Sequence, residues 1–402
     1  MLRYYEPRLN LSSPELINIM GIIVSLNNPV DGRILQSVVE ELRVRFPYFY
    51  IKAAYKGSDL ITVPNDLPMT VRNTWEPVSL NSEESNYHLA AWKYEGHRLA
   101  FELPHDLTDA AGLFPYIKSV IFLYLSKATG KIFDPAGFRL PGEEIPESET
   151  GDPFGDLNVK DVEAPFYQRK PIPDCFHLVN GTDIDKRVFY LKLPEEQVMS
   201  YCRDKDASPN VLFSVFLAKA ARRYDPDSKK PITVFVAVDH KAILGNHDNY
   251  RLFAGNDVLV FPKDIDLNNI TKTCTIARGQ LILQAQPENS LWEIKERKRI
   301  LPAPSLEVPQ ASFCVSYPKN TSFGPLDPYI KGIFIVTTLK PITDILCEVT
   351  CINHSFFLAF MQPFSTTKFF ECFLEELRLA EIPCELLSSE PLRMCGVQEM
   401  KL

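Results

Sequence analysis

The chain has 402 residues, of which 45% are hydrophobic and 23% are charged, and its formal net charge is −8. This length predicts two domains, and this composition is typical of a soluble globular protein. The charge is acidic and no basic tract alternates with aromatic residues, which argues against a nucleic-acid partner. Because no run of about 18 apolar residues occurs, the sequence predicts no membrane span.

The N-terminus and the cysteines bear on the cellular compartment. Residues 1–7 lack the apolar stretch of a signal peptide. The nine cysteines are odd in number and scattered, without a C-x-x-C pair. Buried free thiols in a reducing cytoplasm explain them better than disulfides do. No histidine and cysteine cluster has zinc spacing, so we expect a cytoplasmic protein without a metal.

In the first third of the chain, hydrophobic periodicity predicts an amphipathic helix over 31–45 and a turn into a strand over 46–51. Residues 89–94 and 97–103 are predicted to be strands joined by a turn at Glu95-Gly96. Helical spacing returns over 113–124. It predicts a helix that begins after Asp109 and ends at Gly130.

Prolines and acidic residues concentrate over 135–173. Few residues in this segment can build a core, so we expect a long crossover between two halves. The predicted organisation is an N-terminal lobe over 1–134, a crossover linker over 135–186 and a C-terminal lobe over 187–402.

In the second half, strands are predicted at 188–193, 232–238, 310–317, 332–339, 345–353 and 356–362. A helix over 208–224 opens with Ser208-Pro209, a favoured helix start. A last helix is predicted over 365–380. Because helices and strands alternate in each half, we expect a mixed α/β (α+β) fold.

His105 is the strongest candidate for catalysis. Of the seven histidines, only His105 has an aspartate four residues later, Asp109. Histidine can take and return a proton near neutral pH, and a nearby carboxylate can hold the loop that carries it. The alternative is that Asp109 only caps the following helix and that His105 is a surface loop residue.

Two further groups of charged residues favour structural interpretations. His240 and His247 lie beside aspartates, but their spacing is irregular, and 241–250 is interpreted as a polar loop without a metal. The basic run 295–299 falls on a predicted helix. A solvated helix face is favoured there over a contact with substrate phosphates.

Several segments resemble, in order, the chloramphenicol acetyltransferase and condensation-domain superfamily, most nearly the bacterial alcohol acetyltransferase-like proteins. His105 to Ala110 is similar to the family signature His-x-x-x-Asp-Gly. The other similar segments are 35–49 with Arg45-Phe46-Pro47 at its end, 208–224, 236–239 with 253–256, and 316–324 with 353–360.

The resemblance implies two chloramphenicol-acetyltransferase-like lobes that form a pseudo-dimer with an interlobe channel. His105 is then the general base in a ternary complex. It assists transfer of an acyl group, in the first place acetyl, from a coenzyme A-type thioester to an alcohol or amine. Acyl-CoA is a co-substrate, no cofactor is bound permanently, and the partners are a small-molecule donor and acceptor on a monomeric enzyme.

The resemblance also implies structural roles and leaves alternatives open. Asp109 is expected to pair with an arginine, for which Arg45, Arg251 and the cation Lys52 are candidates. Ala110 replaces the family glycine. The candidates for an oxyanion donor or channel lining are Ser316, Asn353 and Ser355. Alternative functions are a condensation-type enzyme that uses carrier-bound donors and a catalytically silent, ligand- or partner-binding member of the fold.

Overall fold

The computed structural model describes residues 17–56, 59–152, 157–167, 172, 174–178, 185–245, 247–300, 311–339 and 343–398. Its strands are β1 (Ile19–Leu26), β2 (Ile51–Lys56), β3 (Asp59–Pro64), β4 (Val71–Asn73), β5 (Ala91–Glu95), β6 (Arg98–Pro104), β7 (Arg187–Pro194), β8 (Ile232–Asp239), β9 (Ala254–Phe261), β10 (Phe313–Ser316), β11 (Ile330–Thr337), β12 (Ile345–Ile352), β13 (Ser355–Gln362) and β14 (Glu385–Pro391). Its helices are α1 (Gly32–Leu42), α2 (Ala110–Thr129), α3 (Glu195–Asp204), α4 (Pro209–Tyr224), α5 (His240–Leu244), α6 (Ile270–Gln284), α7 (Pro287–Ile300) and α8 (Lys368–Leu379).

Two large sheets organise the fold. The first has five strands in the order β11-β1-β6-β5-β4, and the second has seven in the order β14-β7-β13-β12-β10-β8-β9. Strands β2 and β3 form a separate ribbon. Helices α1 and α2 share one hydrophobic core with the first sheet, and helices α4 and α8 share another with the second sheet. The mixed α/β fold predicted from the sequence is therefore confirmed.

The two halves are joined by an exchanged strand. Strand β11 comes from the second half of the chain but pairs with β1, from Met20 with Thr337 to Leu26 with Ile330. The hydroxyl of Thr350 on β12 donates to the carbonyl oxygen of Ile333 at 2.6 Å. These contacts hold the second sheet against the first. The lobe boundaries at 134 and 187 stay a prediction.

The strand and helix that flank His105 follow the predicted pattern. The turn between β5 and β6 consists of Gly96 and His97, one residue later than predicted, because Glu95 pairs with Arg98. Gly96 has φ +57°, which an L side chain adopts only at a cost. Asp109 caps α2, and the helix ends at Gly130 with φ +67°.

The structure corrects one other expectation. Part of the predicted polar loop over 241–250 is helix α5, whose residues His240 and Lys241 are buried. Within the acidic crossover, Glu149 is buried and paired with Arg45. The expectation for residues 1–7 lies outside the described residues, as do position 310 and parts of the crossover.

Candidate active site

The loop that carries His105 begins where β6 ends. The His105 amide donates to the carbonyl oxygen of Asn18 at 2.8 Å. The side-chain amide of Asn18 donates to Asp106 at 2.7 Å, and both residues are buried. The Leu107 amide closes a turn by donating to the carbonyl oxygen of Pro104 at 3.1 Å. The backbone under the histidine is therefore fixed on both sides.

The imidazole itself is oriented by one backbone contact. Its Nδ1 lies 2.8 Å from the carbonyl oxygen of Thr108. Because a carbonyl oxygen only accepts, Nδ1 carries a proton, so in a neutral imidazole the lone pair lies on Nε2. His105 is half-buried. The contact with Thr108 therefore fixes the orientation of the ring.

The carboxylate of Asp109 makes structural contacts. One oxygen accepts from the Gly112 amide at 2.8 Å, which caps α2, and the other accepts from the Phe253 amide at 2.8 Å. The first oxygen also pairs with the ammonium group of Lys241, and both side chains are buried. Lys241 in turn donates to the carbonyl oxygen of Arg251 at 3.1 Å. The carboxylate thus ties the loop to two segments of the second half.

The cation beside Asp109 is Lys241, which was not among the sequence candidates. Arg45 instead makes a bidentate ion pair with Glu149, at 2.7 and 2.8 Å. Arg251 donates to the carbonyl oxygen of Thr150 at 3.0 Å, and Lys52 lies on β2. A lysine therefore takes the place that the resemblance assigned to an arginine.

The loop that carries His105, residues 105–109, lies at the contact between the two halves of the chain, which we call the seam. The Thr108 hydroxyl donates to the carbonyl oxygen of Tyr250 at 2.5 Å. A Cβ atom on Gly112 would lie 2.2 Å from that same oxygen, so only glycine allows this approach. Ala110 is the first residue of α2 and is not among the residues with positive φ. Its replacement of the family glycine therefore introduces no strain.

A second buried network supports the seam. The Tyr250 hydroxyl donates to Glu149 at 2.6 Å, and Arg139 donates to that hydroxyl at 2.7 Å. Burial favours the neutral acid, but hydrogen bonds from Arg45 and Tyr250 outweigh it and lower the pKa of Glu149. Glu149 therefore stays ionised and anchors the crossover on both halves.

Ser316 lies beside a buried carboxyl group. It pairs with Glu348 in the parallel register of β10 and β12, and its hydroxyl donates to that carboxyl. Burial raises the pKa of Glu348 to about 7. Its second oxygen, Oε2, is buried and has no hydrogen-bond partner among the residues that the structure describes. Because strand residues alternate, Glu348 shares a face with Thr350, which contacts the first sheet.

Asn353 and Ser355 lie elsewhere. Asn353 has φ +49° in the turn between β12 and β13, and its amide donates to the carbonyl oxygens of Asp327 and Ile330, both at 2.7 Å. Ile330 begins β11, whereas Thr337 at its end pairs with Met20 of β1, which in turn pairs with Leu103 of β6, the strand that leads to His105. Eight residues of strand span about 23 Å. The structure therefore does not bring Asn353 or Ser355 together with His105.

Comparisons with known proteins found relatives in structure only. Neither family models nor curated proteins match the sequence. The condensation domain of the Monacolin K polyketide synthase MokA superposes with a TM-score of 0.56 and 12% identity, over 94% of this chain and 97% of that domain. This chain has the condensation-domain fold.

Two further structures share the condensation-domain fold of this chain. Polyketide synthase associated protein 5 from Mycobacterium tuberculosis gives a TM-score of 0.61 and 14% identity, over 93% of this chain and 96% of that chain. TRI101 of F. sporotrichioides, solved with coenzyme A and T-2, gives a TM-score of 0.61 and 12% identity, over 95% of this chain and 99% of that chain. Since the match spans nearly the full length of each chain, the predicted two-lobe condensation-domain fold is confirmed.

Within this condensation-domain fold, a cavity of about 290 Å³ opens between the two sheets. It is lined by Glu102 of β6, Val336 of β11 and Tyr190 of β7, and by residues 390–394. Glu102 makes a buried ion pair with Lys93 at 2.6 Å. Glu102 precedes His105 by three residues, about 10 Å along an extended chain.

Two features are absent from the part of the chain that the structure describes. The described residues contain no group of three or more His, Cys, Asp or Glu side chains that could hold a metal ion. No helix in this part of the chain combines the length and the apolar character needed to cross a membrane. His240, one of the histidines considered for a metal, has its Nδ1 3.0 Å from the hydroxyl of Ser290.

Sequence reasoning missed Lys241 and Glu348. A signal for Lys241 was present, because Asp239 is a good N-cap, Gly245 is a good C-terminal stop, and the residues between them form α5. Glu348 stands within an apolar strand, but no local pattern reveals that it faces the other sheet. Burial of its carboxyl depends on long-range packing.

Proposed function

We propose that this chain is an acyltransferase. It moves an acyl group from a coenzyme A-type thioester to an alcohol or amine, with His105 as the general base. The observation that carries the proposal is the hydrogen bond between His105 Nδ1 and the carbonyl oxygen of Thr108, at 2.8 Å. This contact leaves Nε2 as a proton acceptor, on a loop held by Asp109 at the seam of the two halves.

In the proposed step, the acceptor passes its proton to Nε2 while its oxygen or nitrogen attacks the thioester carbonyl carbon. The carbon–sulfur bond then breaks, and the departing thiolate takes the proton from the imidazolium. The carbonyl oxygen of Thr108 accepts from Nδ1 throughout the step. Base catalysis of this kind contributes about 10²–10⁴ in rate, and joint binding of both substrates adds proximity.

The proposal gives Asp109 a positioning role, because its described contacts are to the helix end, the Phe253 amide and Lys241. It places one substrate in the cavity beside Glu102, from which β6 leads to His105. Ser316 stays a candidate oxyanion donor, although its hydroxyl donates to Glu348 when that carboxyl is ionised.

The test is a donor and acceptor panel followed by mass spectrometry of the products. Acetyl-CoA and longer acyl-CoAs are offered with alcohols and amines, and in parallel the same acyl groups are offered on the pantetheine arm of a carrier protein. Ester or amide formed from the free CoA donors supports the proposal. Product from the carrier-bound donors alone supports a condensation-type enzyme. Absence of product with every donor supports a silent binding protein.

A further inference from the structure

A cysteine, a histidine and an aspartate form a connected cluster away from His105. The Sγ atom of Cys175 lies 3.2 Å from Nε2 of His177. Nδ1 of His177 lies 3.3 Å from a carboxylate oxygen of Asp344, which also accepts from the Leu178 amide at 2.6 Å. The aspartate therefore fixes the ring so that Nε2 faces the sulfur.

The cluster sits where strands β8 and β10 begin. Thr233 and Ser312 exchange hydrogen bonds of 3.1 Å between hydroxyl and amide, and both side chains also hydrogen-bond to the Cys175 sulfur. The Phe176 amide donates to the carbonyl oxygen of Pro231 at 2.8 Å, which holds the segment on the sheet. The sulfur is thus surrounded by groups that stabilise negative charge.

The electrostatics of both partners agree with an ion pair. Burial opposes ionisation of Cys175, but hydrogen bonds from His177 and Thr233 outweigh burial and lower its pKa. Hydrogen bonds to Asp344 and Cys175 raise the pKa of His177 to about 10. By contrast, burial raises the pKa of the thiols of Cys202 and Cys274 to about 12.

We propose that Cys175 is a nucleophilic thiolate that peroxide oxidises to a sulfenic acid. Only 1% of Cys175 is exposed, which favours a reagent little larger than water and disfavours bulky electrophiles. Nothing in this proposal depends on acyl transfer by His105.

The step balances within the cluster. The thiolate attacks one peroxide oxygen, the sulfur–oxygen bond forms and the oxygen–oxygen bond breaks. The sulfur gives up two electrons and the peroxide gains them. The departing hydroxide takes the proton from Nε2 of His177 and leaves as water. The hydroxyls of Thr233 and Ser312 remain beside the sulfenic acid.

The test uses the full-length native protein and hydrogen peroxide. After timed exposure, the sample is quenched in denaturant with dimedone, and the modification at each cysteine is measured by mass spectrometry. Cys202 and Cys274 are internal controls, since both are at most 1% exposed. We expect Cys175 to react at least about tenfold faster than either control. Equal rates at the three cysteines in the wild-type protein overturn the proposal.

A variant tests the role of the histidine. His177→Gln keeps a polar side chain but cannot form an imidazolium, so oxidation of Cys175 should fall to the rate of the controls. The ultraviolet absorbance of the thiolate, taken relative to that of Cys175→Ser at neutral pH, should fall in parallel. Circular dichroism checks that the variant is folded. A folded His177→Gln protein that keeps both the absorbance and the rate contradicts the ion pair.

Discussion

At His105 one backbone contact decides which ring nitrogen carries the proton. The spacing of His105 and Asp109 predicted a loop before a capped helix, and the cap on α2 confirms that part. The spacing gives no information about which ring nitrogen carries the proton. That depends on the carbonyl oxygen of Thr108, whose direction is set by the turn and by the bond from the Thr108 hydroxyl to Tyr250. Such a detail follows from tertiary contacts and not from residue types.

Glu348 gives a residue-scale prediction about pH. Its pKa is 4.5 in an unfolded chain and about 7 in the fold, so between these values the folded protein holds a proton that the unfolded chain has released. The free energy of unfolding should therefore fall as pH rises through this window, by up to about 3 kcal/mol. Glu348→Gln should remove this fall.

Urea unfolding at several pH values between 4.5 and 8 measures the effect of Glu348. The exposed Glu163→Gln variant is the control and should keep the wild-type profile. If Glu348→Gln and wild type show the same slope, the buried carboxyl is not the group that titrates.

At the scale of elements, the Asp109–Lys241 pair joins α2 to α5. Removing one partner of a buried ion pair costs about 3–5 kcal/mol because the other charge is left unpaired. We expect Asp109→Asn and Lys241→Met each to lower the melting temperature, and their effects to be non-additive in a double-mutant cycle. Turnover should fall less than in His105→Ala, since the imidazole remains.

The control for this pair is Lys127→Met, which removes an exposed partner of Glu41 and should change stability by no more than about 1 kcal/mol. Additive effects of Asp109→Asn and Lys241→Met would mean that the two residues do not act as a pair. Full stability of Asp109→Asn together with turnover as low as that of His105→Ala would place Asp109 in the chemistry.

At the scale of the whole molecule, strand β11 makes the two halves interdependent. Seven residue pairs join it to β1. The strands that precede and follow it along the chain, β10 and β12, belong to the other sheet. We expect one cooperative unfolding transition. In Trp292→Phe, tryptophan fluorescence reports Trp75 and Trp92 of the first half, and far-UV circular dichroism reports both halves. The two urea curves should coincide, and separated midpoints would show that the halves unfold independently.

The sequence predicted most helices and inner strands because their hydrophobic patterns are local. Strands β8, β12 and β13, together with helices α2 and α4, lie within a few residues of the predicted positions. The exchange of β11 between the sheets was not predictable, since its apolar run fits a central strand in either half. Strand β14 was missed because most of its residues are exposed and show no alternation.

The most direct test of the central claim measures free thiol released from acyl-CoA in the presence of an acceptor, together with the melting temperature, for His105→Ala. The exposed His247→Ala variant is the control. We predict that His105→Ala keeps the wild-type melting temperature but lowers the acceptor-dependent rate by a factor of about 10²–10⁴. His247→Ala should keep both the melting temperature and the rate. A folded His105→Ala protein that transfers acyl groups at the wild-type rate would contradict the account.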